Sequence, residues 1–196
     1  MTLSVSDALD LIERFDPGAD GLARKSRELA ANLLRYSDAP FSRGQFAPGH
    51  LTCTALVFHP TEPKALMMLH HRLRRWLLPG GHIEESDASL SDAAAREALE
   101  ETLVQIDPHR APVLVGIDVH GIPAKGDEPF HLHHDLIWSF AALTPEIELT
   151  DEAPSIVWAG CEDWEELQIA DSIRYSILRA IESRTTCEPS IAVNPK

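Results

Sequence analysis

Glu97, Glu100 and Glu101 stand at i, i+3 and i+4 within residues 78–104, LPGGHIEESDASLSDAAAREALEETLV. On a helix this spacing puts three carboxylates on one face, where, left alone, they repel one another and raise one another's pKa. A hard divalent cation removes the conflict, because Mg²⁺ and Mn²⁺ prefer clustered oxygen ligands. Arg96, one residue earlier, flanks that face, where its planar fork can hold a carboxylate in position. The competing reading is a solvated acidic helix face, the commoner fate of paired glutamates. Ala93, Ala94, Ala95 and Ala98 weigh against it, since small side chains let a helix lie close to a sheet and present its carboxylates at a fixed place. Ahead of the helix, Pro79-Gly80-Gly81 forms a turn whose backbone groups are open to a metal or a phosphate.

His131 and His133 alternate and so share one strand face, with Asp135 continuing it. Together with His82 they make a polar cluster near the metal helix, or a histidine zinc site; the plainer alternative is strand histidines that are simply hydrogen-bonded. Contact with a substrate is expected through His82 or His133. Arg72, Arg74 and Arg75 follow a strand and precede the glycine turn, where they either meet phosphate or make a solvated cationic turn.

The elements that must position these groups are legible in the pattern. Helical spacing covers 5–15 and 22–36, broken by Asp16-Pro17-Gly18, and 37–49 reads as a loop. Runs rich in β-branched and apolar residues predict strands at 51–59, 65–71, 113–120, 130–143 and 156–159, with an irregular stretch at 78–89. Helices are predicted over 90–103, opened by Ser89 or Ser91, and over 169–183. Three parts follow: an N-terminal helical extension over 1–45 packing on the main domain, that domain over 46–185, and a C-terminal tail over 186–196. The fold class is α/β (α+β), a mixed sheet between helices.

Composition excludes several roles. The chain has 196 residues, 44% of them hydrophobic, which suits one domain with a real core. Seventeen Lys and Arg against thirty-one Asp and Glu leave a formal charge of −14. That field repels nucleic acid and anionic membranes, and disfavours polyphosphates unless divalent cations reverse the local sign. Cys53, Cys161 and Cys187 lie far apart, which argues against a disulfide framework and a cysteine-built zinc site. The first residues lack the basic start and apolar core of a signal peptide, so a soluble cytoplasmic protein is expected.

The 78–104 segment resembles the signature of the Nudix hydrolases, G-x5-E-x7-R-E-U-x-E-E-x-G-U, where U is a bulky aliphatic residue. Gly81 matches the first glycine and Arg96-Glu97-Ala98-Leu99-Glu100-Glu101 the core, with Ala98 smaller than usual. FSR at 41–43, HLTCTA at 50–55, WLLPGGH at 76–82 and HLHHD at 131–135 are similar to one bacterial subgroup, so the likeness spans 40–180. Three departures stand out. Fourteen residues separate Gly81 from Arg96, one more than the pattern has; the first motif glutamate falls on Ala88, with Asp87 its near substitute; and the final glycine is Leu103. Either Asp87 swings into the glutamate's place or that role is absent.

The resemblance implies a Nudix fold and hydrolysis of a nucleoside diphosphate linked to another moiety, or of a related pyrophosphate. It implies that the Gly80 carbonyl, Glu97, Glu100 and Glu101 hold Mg²⁺ or Mn²⁺, that Arg96 orients the glutamates, and that Gly81 is part of the substrate-binding turn. It also implies a further carboxylate from a later loop as ligand or general base, for which Glu152 is the candidate and Asp151 the second. A homodimer is a common state of such proteins. Two other classes compete: a Nudix-fold nucleotide-binding regulatory module without turnover, which has no need of the carboxylate cluster, and an isoprenoid diphosphate isomerase. The isomerase would be expected to use a reactive cysteine, for which Cys53, on an apolar strand, and Cys161, beside acidic residues, are poorly suited.

Overall fold

The computed structural model of the protein describes residues 3–71, 73–150 and 153–186. In chain order these form α1 (Val5–Arg14), α2 (Gly21–Tyr36), β1 (His50–Phe58), β2 (Ala65–Leu69), β3 (Trp76–Leu77), β4 (Gly80–His82), α3 (Leu90–Thr102), β5 (Val113–Ile122), β6 (His131–Ala141), β7 (Ile156–Ala159), a 3-10 turn (Cys161–Asp163) and α4 (Asp171–Thr186). The 187–196 part of the expected tail lies outside the described residues.

β1 is buried along its whole length, because its two sets of alternating side chains face two separate helical layers. Leu51, Cys53, Ala55 and Val57 share a core with Ile12 of α1, Ala30 and Leu33 of α2, and Ala93, Ala94 and Ala98 of α3. Leu56 and Phe58 face the other way, onto Ile173, Ile177 and Ala180 of α4. The sheet is therefore mixed and sandwiched between helices, in the order β3-β2-β1-β6-β5. β1 and β6 are parallel and the other pairs antiparallel. β1 shares one edge between two partners: β2 joins it at Phe58, whereas β4 pairs with Thr52 to Thr54. β2 thus splays from β1, and the sheet opens beside β4.

The helices start where polar side chains can take up free amides. Asp20 accepts from the N–H groups of Leu22 and Ala23, each at 3.0 Å, and Ser89 accepts from Asp92 at 3.1 Å. α3 ends on Leu103, which adopts the left-handed conformation (φ 53°, ψ 15°) and donates its N–H to Leu99. The motif glycine's backbone geometry survives without the glycine, at a cost of about 1 kcal/mol for an L side chain. Leu103 is exposed, so little burial would be lost on removing its side chain. Leu103→Gly is expected to raise the unfolding free energy by about 0.5–1 kcal/mol, read as a higher urea midpoint at unchanged slope.

Among the described residues no helix is long and apolar enough to cross a membrane. Two elements depart from expectation: 76–77, just ahead of the stretch read as irregular, and 80–82, inside it, are strands. Pro79 interrupts them, and its carbonyl accepts from the Ala55 N–H at 2.8 Å, which holds the glycine turn against β1.

Candidate active site

Register brings a set of polar residues to one end of the α4-side face. Thr52 on β1 lies opposite His82 on β4 and Asp135 on β6, and Asp135 lies opposite Asp118 on β5. One step toward the sheet end, His50 pairs with His133 and His133 with His120. One step the other way, Gly80 pairs with Thr54. The same sheet face that packs on α4 through Leu56 is thus polar where α4 stops. A cleft of about 630 Å³ lies there, walled by Thr52, Thr54, Gly80, Gly81, His82, Glu97, Glu101, Asp118, His120, His133 and Asp135.

α3 reaches this cleft through two of its three glutamates. Glu101 is buried and accepts the Gly80 N–H at 2.8 Å. Glu97 lies against Gly81 so closely that a Cβ there would come within 2.7 Å of its carboxylate and push it aside. Glu100 is different. About 100° per residue separates helical side chains, so it falls on the solvent flank and more than half of its side chain is exposed. The expected single face is a pair in the cleft wall with a third member at its rim.

Arg96 ties these groups together. Its Nη1 donates to Glu97 at 3.0 Å and to Glu100 at 3.1 Å, and its Nη2 donates to the His82 carbonyl at 2.8 Å. Nε and Nη2 grip Asp87 as a fork, at 3.0 and 3.1 Å. Asp87 thus sits beside the arginine, one residue ahead of the position on which the motif glutamate falls. Burial alone would raise the Asp87 pKa, but hydrogen bonds from Arg96 and from the Glu84 N–H hold it below the usual carboxylate range. Asp87 and Glu97 in turn keep Arg96 firmly protonated.

Asp135 is the cleft carboxylate held by two threonine hydroxyls. It is buried, and its oxygens accept from the Thr52 hydroxyl at 2.9 Å and the Thr54 hydroxyl at 2.7 Å. Burial pushes its pKa up, outweighing the two hydroxyls and His120. A carboxyl with a raised native pKa adds stability below its unfolded pKa, and that stability is lost as pH rises through the native value. Asp135→Asn is therefore expected to melt higher than wild type at pH 8, with the gap closing toward pH 4. Turnover should meanwhile fall at least about tenfold, the pattern of a cleft acid kept at a cost in stability. Melting curves at the two pH values and one kcat measurement check both halves.

Three histidines of this region are neutral at pH 7. Burial lowers His82 to about 4, His133 to about 2 and His134 to about 4. His120 goes the other way: despite burial, the Asp118 carboxylate, 3.0 Å from its Nδ1, raises its pKa.

Of the residues singled out in the sequence, Glu97, Glu101, Gly80, Gly81, His82 and His133 meet at the cleft, and Arg96 and Glu100 adjoin it. Arg72, Asp151 and Glu152 lie outside the described residues, while Arg75 lines the cleft. Asp118, His120, Thr52 and Thr54 went unpredicted, since nothing in the local pattern marks them as a shared face.

A family model described as the NUDIX domain matches residues 50–180. Among solved structures, the chain is similar to the NUDIX domain of Shewanella oneidensis NrtR complexed with ADP ribose. The identity is 21%, the TM-score 0.52, and the match covers 79% of this chain and 97% of that one. It is also similar to a NUDIX hydrolase from Nitrosomonas europaea, at 19% identity and a TM-score of 0.47, covering 68% of this chain and 88% of that one. No curated protein matches the chain.

Proposed function

The chain belongs to the NUDIX family and has the Nudix-hydrolase fold, and from that premise we propose that it is a pyrophosphohydrolase dependent on Mg²⁺ or Mn²⁺. Its substrate would be a nucleoside diphosphate linked to another moiety, or a related nucleotide. The observation that carries this reading is the convergence of Glu97 and Glu101 on Gly80-Gly81 at the wall of the cleft. An all-oxygen donor set fits a hard cation, and the missing Cβ at Gly81 leaves room there for the Glu97 carboxylate. Glu97, Glu100, Glu101 and the Gly80 carbonyl would hold the ion. When bound, it neutralises pyrophosphate charge and supplies a nucleophile at neutral pH.

The chain's own residues supply positioning. Arg96 fixes Glu97 and Glu100, while Asp87 and the His82 carbonyl fix Arg96. The Gly80 N–H sets the Glu101 carboxylate. Asp135, behind the Thr52 and Thr54 hydroxyls, holds or takes up a proton at the cleft floor. Glu152 is proposed as the further carboxylate or general base. Support comes from Thr150, whose hydroxyl donates to the Glu101 carbonyl at 2.8 Å and so pins the chain two residues earlier to α3. His82, His133 and Arg72 are proposed substrate contacts. A net charge of −14 disfavours nucleic acid as partner. We also propose a cytoplasmic location and, on the family resemblance, a homodimer.

The test is a screen of nucleoside triphosphates, nucleotide sugars, dinucleoside polyphosphates and ADP-ribose with Mg²⁺, wild type beside Glu101→Gln. Metal-dependent phosphate release that the variant loses supports the reading. Ligand retention without release in the wild type would instead make the protein a binding module.

A further inference from the structure

A second group of metal-ligating side chains lies beside the carboxylates, and the proposed carboxylate ion site does not use it. One ring nitrogen from each of His50, His82 and His133 lies within 4.8 Å of the other two. The three come from adjacent strands, β1, β4 and β6, with His50 and His133 directly paired in register. Their rings crowd together: the His50 centroid is 5.1 Å from that of His82 and 4.8 Å from that of His133, and those of His82 and His133 are 5.3 Å apart.

His50 is the telling member. It is fully buried, and its Nδ1 lies 3.1 Å from the Gln45 carbonyl, to which only an N–H can donate. That contact makes Nε2 the lone-pair nitrogen, and Nε2 is buried without a hydrogen-bond partner. An unsatisfied buried acceptor costs about 1–3 kcal/mol and calls for an explanation. Gln45 is itself held in place, accepting the Ala39 N–H at 2.9 Å and donating to the Gly49 carbonyl at 3.0 Å. A backbone carbonyl that fixes the tautomer of an imidazole is the usual outer support of a metal-bound histidine. His131 has the same kind of backbone anchor, its Nδ1 2.8 Å from the Pro129 carbonyl, but its Nε2 is not orphaned: it lies 3.3 Å from the His133 Nε2, a hydrogen bond that an ion on that His133 nitrogen would replace.

We propose that His50, His82 and His133 form a second cation site, for a borderline-soft divalent transition ion of the zinc class. Neutral imidazoles select such an ion, whereas the carboxylates on α3 suit Mg²⁺ or Mn²⁺, so the two sites are chemically distinct. Ligands at about 2.0–2.1 Å around a tetrahedral ion stand about 3.3 Å apart, so binding requires only a small inward movement of rings that already touch. Three protein ligands leave one position open to water or an anionic oxygen. His82 and His133 line both the main cleft and a neighbouring cavity of about 310 Å³ that Arg43 and Lys125 also line, so the ion would sit where the two adjoin. The site goes beyond the proposed hydrolysis and does not depend on it.

Zn²⁺ and Co²⁺ titrations of the full chain in excess Mg²⁺ test the assignment, read by calorimetry, by the visible Co²⁺ spectrum and by X-ray absorption at the zinc edge. One ion per chain is expected, with a tetrahedral Co²⁺ band and nitrogen scatterers at about 2.0–2.1 Å. His50→Gln and His133→Gln should each weaken binding about a hundredfold or more, and Glu101→Gln should leave it unchanged. If the buried His50→Gln variant fails to fold, His82→Gln on the half-buried β4 decides. Saturation that is absent, indifferent to the histidine variants, or lost in Glu101→Gln overturns the proposal. The last outcome would place zinc in the carboxylate site and leave the hydrolase reading standing.

Discussion

Glu101→Gln is expected to lower kcat about a thousandfold at saturating Mg²⁺ while the protein melts within a few degrees of wild type. The substitution nearly preserves shape. A glutamine side-chain oxygen can still accept the Gly80 N–H that now meets Glu101 at 2.8 Å, so the junction of α3 and β4 stays closed. What is lost is a negative charge in a partly dry cleft wall, where a bound cation contributes several kcal/mol of charge stabilisation. At about 1.4 kcal/mol per factor of ten, a loss of about 4 kcal/mol is three orders of magnitude. Glu97→Gln should behave alike, because that side chain also lines the cleft. Glu100→Gln should cost far less, about tenfold, since its carboxylate sits on the exposed flank, where solvent screens the charge it would offer the ion. Single-turnover rates and melting curves of the three variants would display this ranking.

Arg96→Ala should be the most destabilising single change in the site, lowering the unfolding free energy by about 3–5 kcal/mol. One guanidinium serves Asp87, Glu97, Glu100 and the His82 carbonyl. Asp87 has only 4% of its side chain exposed, and truncating Arg96 strands that carboxylate away from water and from its counter-charge. The pH dependence carries the sign. Asp87 has a depressed native pKa, so its stabilisation is full above the unfolded value of about 3.9 and disappears as pH falls through the native one. The gap between wild type and Arg96→Ala should therefore be widest near pH 7 and shrink in acid. Adding Asp87→Ala to Arg96→Ala should cost less than the two single changes summed, because the stranded charge goes with it. Arg96→Lys should fall between, keeping the charge without the fork. Urea unfolding at several pH values measures all of these.

Much of the fold was legible because the hydrophobic period changes sharply along the chain. Helices with buried faces and the long strands β1, β5 and β6 are readable from spacing alone, and so was the acidic trio. The remainder was hidden by features that spacing does not carry. β4 has three residues, two of them glycine, and becomes a strand only because β1 offers it Thr52 to Thr54 as partners. A bulge between Leu114 and Gly116 shifts the parity of β5, so that Leu114 and Ile117 face one core while Asp118 and His120 turn to the cleft. Simple alternation from Leu114 would have put both on the other side. Asp87 is one position out of motif, and only the folded loop shows that the arginine fork reaches it. Asp135 was read as a face-mate of His133, but its two threonine partners lie more than eighty residues away in sequence.

All of this turns on whether the α3 carboxylates bind a hard cation, and Mn²⁺ reports that directly. Titrating Mn²⁺ into wild type, Glu97→Gln and Glu101→Gln, with free ion followed by electron paramagnetic resonance, needs neither a substrate nor an assay. Wild type should take up Mn²⁺ saturably and release it to Mg²⁺, and each variant should bind at least about tenfold more weakly. Equal binding by all three proteins, or no saturable uptake by the wild type, would contradict the assignment.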